Sequence, residues 1–529
     1  MHKPGLSSCL YSHSITVGLV LIICFYLING ISYLHYQSIT SDEGSFYSYA
    51  TRYLKGNPER IVPDIDNSKM PVTLLNTIPR LTEQVFAPGI KKNDGGFSDL
   101  MHGRYVTLLV SVLTILLVFV WSSELYGKKA GLFSSCLMSI CPNNMANATF
   151  VTTDSYSVLL LVVSMYFLWK FCTIKTGRYF IFFSMALALS QLVKQSLFHL
   201  YVLAPVCMII YFSAYSAKFK YGLFFKRLFL FLLINWFIIN LGFYFYKSFL
   251  RLGDYHFMSH LFQGIQSMFP QSMLLPLPKP FVDGLDMAKY YDQLGGGYDL
   301  ISSFGNVTIL GHSKTGGGYW YYYFVSLFYK TPLTYFVFIV WSIILLLKTR
   351  TFKEFISREF FLMAPVIYFL IVFSFFYQTQ CGLRHIIFIY PFFFILSGII
   401  VPNIKKGYQK ISVIVLSLLL IISVLRYWKN YYPYTNEFIA DKKMAFEYVG
   451  SSNLEFKQGR FFLQQYLRDH SDVRLAPVKP QVGTFVIGLQ DYMDIWNRHQ
   501  YDWIQRFKPI GHVAYTYLLI KVEEKNIKP

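Results

Sequence analysis

Apolar runs of about 17 to 25 residues recur along this chain, and no other feature limits its fold as tightly. A run of that length, wound as a helix, spans a hydrocarbon core roughly 30 Å thick. About eleven segments qualify by length and apolarity: 14–36, 104–124, 130–148, 153–173, 178–195, 196–215, 224–248, 331–348, 359–377, 383–401 and 408–428. Composition agrees: 54% of the residues are hydrophobic and only 14% charged, where a soluble domain carries about 25% charged residues. The expected fold class is an α-helical polytopic membrane protein of about eleven transmembrane helices, with a small C-terminal extracytoplasmic α/β domain.

The net charge of +20 raises the question of nucleic acid, and the placement of the charge answers it. With the N-terminus in the cytoplasm, every inward connection is basic. These connections hold Lys128 and Lys129; Lys170, Lys175 and Arg178; and Lys218, Lys220, Lys226 and Arg227. Lys348, Arg350, Lys353 and Arg358 follow, then Lys405, Lys406 and Lys410. Cytoplasmic loops of membrane proteins carry this excess, so the partner is the lipid bilayer and no nucleic acid is expected. The N-terminal apolar run has no small-residue cleavage site and reads as an uncleaved anchor. The seven cysteines suggest neither a metal site nor a disulfide framework.

Three long segments fall outside: 37–103, 249–330 and 429–529. The division is therefore a transmembrane domain over 1–428, carrying the first two as external loops, and a C-terminal domain over 429–529. The first loop holds two stretches suited to interfacial helices; in one, Phe46, Tyr49, Ala50, Tyr53 and Leu54 recur at helical spacing. The second is rich in Gly and Pro, including Leu275–Pro280, Gly295-Gly296-Gly297 and Gly316-Gly317-Gly318, which predicts little helix. It ends in Tyr319-Trp320-Tyr321-Tyr322-Tyr323, a belt suited to headgroup depth. In the last segment, 461–467 reads as an amphipathic helix, and 483–488 and 513–520 read as strands.

Residues able to do chemistry gather at the outer ends of the spans. Ser41-Asp42-Glu43-Gly44 directly follows the first span. A carboxylate there accepts a proton from, or orients, a hydroxyl or amine nucleophile; the same residues also suit a plain helix N-cap. Asp154 opens the fourth span, a position the helix dipole favours by itself, yet the topology sets it on the same side as Asp42. Arg104, Lys194, Arg384 and His385 occupy outer span ends, where topology asks for no positive charge. Arg grips phosphate bidentately and Lys as a point charge, so together they suit a lipid-borne phosphate; singly, each also suits snorkelling to ordinary headgroups. There is no Gly-rich phosphate loop and no metal-ligand spacing, since His256 and His260 lack a third ligand.

Several short motifs follow one another along the chain. Asp42-Glu43 precedes Tyr47, Ala50 and Gly56; then come Lys69-Met70-Pro71, Arg104, Tyr126-Gly127 and Thr152-Thr153-Asp154. Leu187-Ala188-Leu189 with Lys194, Tyr329-Lys330-Thr331-Pro332, and Gly382-Leu383-Arg384-His385 ahead of Tyr390-Pro391 complete the series. In this order they resemble the multi-span C-type glycosyltransferase superfamily, which includes protein O-mannosyltransferases and lipid A aminoarabinose transferases. The resemblance implies a phospholipid-carrier donor, a sugar on undecaprenyl or dolichyl phosphate, transferred with inversion to a glycan, lipid or protein acceptor. It implies no nucleotide sugar and names no cofactor. It gives Asp42 the role of base or acceptor-orienting group and makes Glu43 and Asp154 acceptor or sugar contacts. Arg104, Lys194 and Arg384 match the lipid-phosphate ligands, with His385 beside them. Residues 451–458 resemble a worn form of a bacterial subfamily pattern rich in Asp, Trp and Gly, from which Ser451, Glu455, Phe456 and Lys457 depart. That leaves the C-terminal segment a role in acceptor docking or in stability. The expected setting is a bacterial inner membrane with the C-terminus outside, the endoplasmic reticulum being the alternative.

A transporter or flippase of a lipid-linked saccharide is the competing reading. That class places ionisable residues near the bilayer midplane and often carries internal repeats. Here the charges of interest sit at the outer boundary, and no repeat relates the two halves.

Overall fold

The computed structural model describes residues 6–86, 97–215, 221–295 and 306–526; Lys218, Lys220, Gly296 and Gly297 lie outside them. Among the described residues, seven helices are long and apolar enough to cross a membrane. They are His13–Tyr36, Ser98–Tyr126, Asp154–Ile174, Gln195–Ala214, Tyr221–Gly242, Leu383–Asn403 and Gly407–Leu425. A further crossing is broken: Tyr322–Lys330 and Leu333–Thr349 meet at a bend of 108°. The protein is a multi-pass α-helical membrane protein.

Eleven long spans is therefore an over-count, and local sequence explains it. The candidate at 130–148 divides into Lys128–Ile140 and Pro142–Ala148, because Pro142 has no N–H to continue the first helix. Two others, Gly177–Ser190 and Phe360–Phe375, are apolar but short. The chain turns at 191–194 after the first of these, which packs against Asp154–Ile174 and Tyr221–Gly242 rather than forming a tight hairpin with the helix that follows. At the 108° bend Pro332 restarts the chain. The carbonyls freed there are not left bare: Asn436 Nδ2 donates to Phe328 O at 2.6 Å and to Thr331 O at 3.2 Å. Helix ends leave such acceptors unsatisfied unless a side chain reaches them.

Burial sorts the helices. The apolar window of Leu383–Asn403 is 78% buried, while those of His13–Tyr36, Tyr221–Gly242 and Gly407–Leu425 are 17%, 11% and 17% buried and present their faces to lipid. Lipid is as apolar as a leucine side chain, so contacts between these helices rest on packing and polar bonds. Trp121 packs against Trp169 at 5.9 Å and edge-on to Phe392 at 6.0 Å. Tyr26 and Ser111 share a hydrogen bond of 2.7 Å, and Asn144 Nδ2 donates to the same tyrosine hydroxyl at 3.0 Å. Bonds of this kind contribute about 0.6–2 kcal/mol each.

The long segments between and after the spans are more ordered than their glycines and prolines suggest. Glu43–Leu54 forms the first-loop helix and buries Phe46, Tyr47, Tyr49, Ala50 and Tyr53. Residues 249–330 contain the helices His260–Met268 and Lys279–Leu294, contrary to the expectation of little helix. Ser259 caps the first by accepting from Phe262 N, and Pro280 sits in the first turn of the second, where its missing N–H costs nothing. Of the aromatic belt, Trp320 faces out while Tyr322 and Tyr323 are buried. The C-terminal segment carries the helix Arg460–Asp469 and a four-stranded sheet. Its order is Val473–Leu475, Gly483–Gly488, Tyr517–Val522, Gly511–Val513, the first pair parallel and the others antiparallel. The predicted strand over 513–520 is instead a hairpin. Ala514 and Tyr515 take φ of 52° and 61°, and the Tyr515 ring stacks on Tyr427 at 4.5 Å.

Glu455, 6% exposed, sits under this sheet and accepts from Gln490 N at 2.7 Å. Burial pushes its carboxyl up to about 7. A raised acid adds stability below its ordinary pKa of 4.5 and loses it as pH climbs towards 7. Glu455→Gln keeps the acceptor for Gln490. Thermal unfolding in detergent should show it more stable than the parent above pH 7, by roughly 3 kcal/mol, with little difference at pH 4.

Candidate active site

Asp42 and Glu43 are adjacent in sequence and differ completely in environment. Glu43 is wholly buried; its oxygens accept from Arg104 Nε at 2.8 Å and Nη2 at 2.6 Å, and from the backbone N–H groups of Thr40 and Val151, both at 2.9 Å. Arg104 is likewise fully buried, and its remaining N–H groups donate to the carbonyls of Leu34, Gln37 and Ser38. No guanidinium nitrogen is left for a ligand. Where a phosphate contact for Arg104 and a substrate contact for Glu43 were expected, both side chains are turned inward onto each other and onto the backbone. They form a strut that pins the first external helix to the second span and to the turn before Asp154.

Asp42 starts the same helix but makes no capping bond with its side chain. It accepts from Arg384 Nη1 at 2.8 Å. The carboxylate lies deep among protein atoms, yet 32% of the side chain stays accessible, against 14% for Arg384, so it borders an opening. Lys69 is buried, its ammonium 3.9 Å from the centre of the Phe46 ring. Lys194 Nζ donates to Asp154 Oδ1 at 2.6 Å. Arg384 acts electrostatically on both Asp42 and Asp154, and His385 lies in the field of Lys194, Arg384 and the two carboxylates. Asp42, Asp154, Lys194, Arg384 and His385 are thus brought together at one end of the bundle, and Lys69 joins them. Burial by itself would raise the Asp42 carboxyl; Arg384 and then Lys69 outweigh it and hold the group below its usual range. Burial pushes Lys69 down to about 8 against the pull of Asp42.

A small recess of about 10 Å³, room for about one water molecule, opens behind Arg384, lined by Asn143, Lys330, Tyr432 and Asn453 among others. Lys330 Nζ donates to Tyr432 O at 2.5 Å and Asn453 O at 2.7 Å. Arg384 Nε is buried and has no partner within the protein. Lys69 stood in Lys69-Met70-Pro71, which the sequence offered as a motif and not as a site cation. Lys330 stood in Tyr329-Lys330-Thr331-Pro332, but nothing local distinguished its amine from a snorkelling one. Tyr432 carried no signal, and Asn453 stood only within the worn pattern over 451–458, with nothing to place it behind Arg384.

A sequence profile described as dolichyl-phosphate-mannose-protein mannosyltransferase matches residues 96–238. The structure resembles ArnT from Cupriavidus metallidurans bound to undecaprenyl phosphate, with a TM-score of 0.51 at 11% identity, over 96% of this chain and 99% of that one. The chain shares the ArnT fold. The apo oligosaccharyltransferase of Archaeoglobus fulgidus matches with a TM-score of 0.50 at 12% identity, over 89% of this chain and 60% of that one. No curated protein sequence matches the chain. The stretch matched by the profile holds Arg104, Asp154 and Lys194. Asp42, Lys69 and Arg384 lie outside it and join the site only through the folded chain.

Removing one partner of a buried ion pair leaves the other charged and unsolvated, which costs about 3–5 kcal/mol. Arg104→Met should therefore lower the unfolding temperature of the detergent-solubilised protein sharply. The double variant Glu43→Gln, Arg104→Met should recover part of that loss. Equal stability of the single variant and the parent would show that the strut carries no such strain.

Proposed function

We propose that this chain transfers a sugar from a polyprenyl-phosphate donor, undecaprenyl or dolichyl, to an acceptor on the extracytoplasmic side, with inversion at the anomeric carbon. The supporting observation is the Asp42–Arg384 contact: a partly open carboxylate beside a cluster of cations at one end of the spans. A polyprenyl-phosphate sugar needs what such a cluster offers. The acceptor oxygen or nitrogen attacks the anomeric carbon, and the bond from that carbon to the phosphate oxygen breaks with its electron pair. Asp42 takes the acceptor's proton or orients the nucleophile. The carrier leaves as a phosphate monoester, on which a second negative charge develops. Lys69, Lys194 and Arg384 stabilise that charge without any proton transfer to the leaving group. Asp154, paired with Lys194, is the contact for the sugar. His385 stands beside the phosphate site.

Support for the donor class comes from the fold shared with ArnT, whose structure was determined with undecaprenyl phosphate bound, and from the mannosyltransferase profile. In this reading the spans over 1–428 hold the lipid carrier, and residues 429–529 stand on the outer side. The N-terminus is cytoplasmic, and the membrane is a bacterial inner membrane. The acceptor is a glycan, lipid or protein bearing a hydroxyl or amine. A flippase would need its charges near the midplane; the open carboxylate and its cations sit instead at span ends.

Purified protein with a radiolabelled undecaprenyl-phosphate sugar and an acceptor extract tests the reading. Asp42→Asn should bind the donor and lower transfer by about 10² to 10⁴-fold, the range for loss of a general base. Transfer untouched by Asp42→Asn would sink the assignment. The pH dependence has a definite sign. With its pKa depressed, Asp42 stays ionised well below neutrality, so the acid limb of kcat/KM lies low. Arg384→Gln removes the main cation opposing the burial term, the carboxyl rises, and the acid limb should move to higher pH in addition to any loss of rate.

A further inference from the structure

The C-terminal segment reaches into the site and holds both members of its central ion pair. Phe456 O accepts from Ser41 N at 3.1 Å, Gln458 O accepts from Ser38 N at 3.0 Å, and Ser38 Oγ donates to Lys457 O at 2.6 Å. Residues 456–458 thus fix the backbone immediately before Asp42. The same segment fixes Arg384. The guanidinium carbon lies 4.3 Å from the centre of the Phe456 ring, and Asn453 Oδ1 accepts from Leu383 N at 2.9 Å. Phe456 is itself stacked on Tyr432 at 5.7 Å, whose hydroxyl donates to Ser452 O at 2.5 Å. The approach of the two backbones is close. Gly382 has φ 97°, and a Cβ there would stand 3.2 Å from Ser452 O. At its outer end the segment is tied to the sheet by Glu455, which accepts from Gln490 N and whose carbonyl accepts from Gln490 Nε2 at 3.0 Å.

We infer that residues 453–458 form a clasp that completes the active site, with Phe456 as the positioning residue that aims Arg384 at Asp42 and at the donor phosphate. This deepens the transfer reading above and rests on it. The clasp assigns the outer domain a part in catalysis that is independent of acceptor docking. An aromatic face beneath a guanidinium attracts the cation and restricts its plane. A leucine of similar bulk fills the space without doing either.

The test compares Phe456→Leu with Phe456→Tyr in the full-length protein, after size-exclusion and thermal unfolding show both to be folded. Three quantities are read: the Kd for undecaprenyl phosphate, kcat with a saturating donor, and the acid limb of the rate profile. That limb reports Asp42 in the field of Arg384, Lys69 and Asp154. Phe456→Leu should weaken donor-phosphate binding and kcat by about tenfold, in line with a desolvated cation–π contact, and shift the acid limb. Phe456→Tyr should restore all three towards the parent. Asn453→Ala, which unties Leu383 without altering the ring, should act in the same direction. The clasp is overturned if Phe456→Leu matches the parent in all three, or if the leucine and tyrosine variants lose activity equally, as simple packing would require. A parent protein that neither binds undecaprenyl phosphate nor transfers from its sugar would instead overturn the transfer reading, so the two failures are told apart.

Discussion

Glu43 and Arg104 neutralise each other where the first span, the first external helix, the second span and the turn before Asp154 all meet. That buried pair has eight polar contacts converging on it: two within the pair, two from backbone N–H groups to Glu43, three from Arg104 to carbonyls, and one to Met101 sulfur. A charge pair so enclosed tolerates little displacement, because any movement leaves a charge without water or a partner. The consequence for the neighbouring residue is direct. With Glu43 turned fully inward, Asp42 is held at the entrance of the site, where its carboxylate meets Arg384 and remains partly open.

Opposite charges at this entrance are arranged in pairs rather than as a uniform basic patch. Asp42 faces Arg384, and Asp154 faces Lys194, while Lys69 is left with no carboxylate at salt-bridge distance among the described contacts. In the proposed reaction an incoming phosphate exchanges with a carboxylate for a cation, and the carboxylate so released becomes a stronger base as the donor binds. Water exclusion strengthens each of these charge contacts further.

Much of this was legible in the linear chain. The membrane class followed from the length of the apolar runs, and Asp42, Asp154, Lys194, Arg384 and His385 followed from acidic and basic residues at outer span ends. Three kinds of feature were not legible. The break at Cys141-Pro142 looks like a continuous apolar run when averaged over a window, and Gly177–Ser190 and Phe360–Phe375 are shorter than the runs that contain them, so the count of long spans came out high. The adjacent carboxylates Asp42 and Glu43 are equivalent by composition; only the partner 61 positions away, Arg104, separates them. The contribution of Phe456 to Arg384 spans 72 positions between helix and C-terminal segment, a contact to which neither local sequence gives any sign. Helices in 249–330 were missed because Ser259 and Pro280 act as helix starts, whereas their neighbours Pro276 and Pro278 read as breakers.

The account stands on a lipid-borne phosphate being held among these cations beside Asp42. A cryo-electron microscopy structure of the protein in nanodiscs with undecaprenyl phosphate addresses this directly. The account predicts phosphate density about 3 Å from a nitrogen of Arg384 or Lys69, with the polyprenyl tail leaving between the spans into the bilayer and the Asp42–Arg384 contact lengthened or shared. Phosphate density at the opposite end of the helices, with the Asp42–Arg384 and Asp154–Lys194 pairs unchanged, would contradict it.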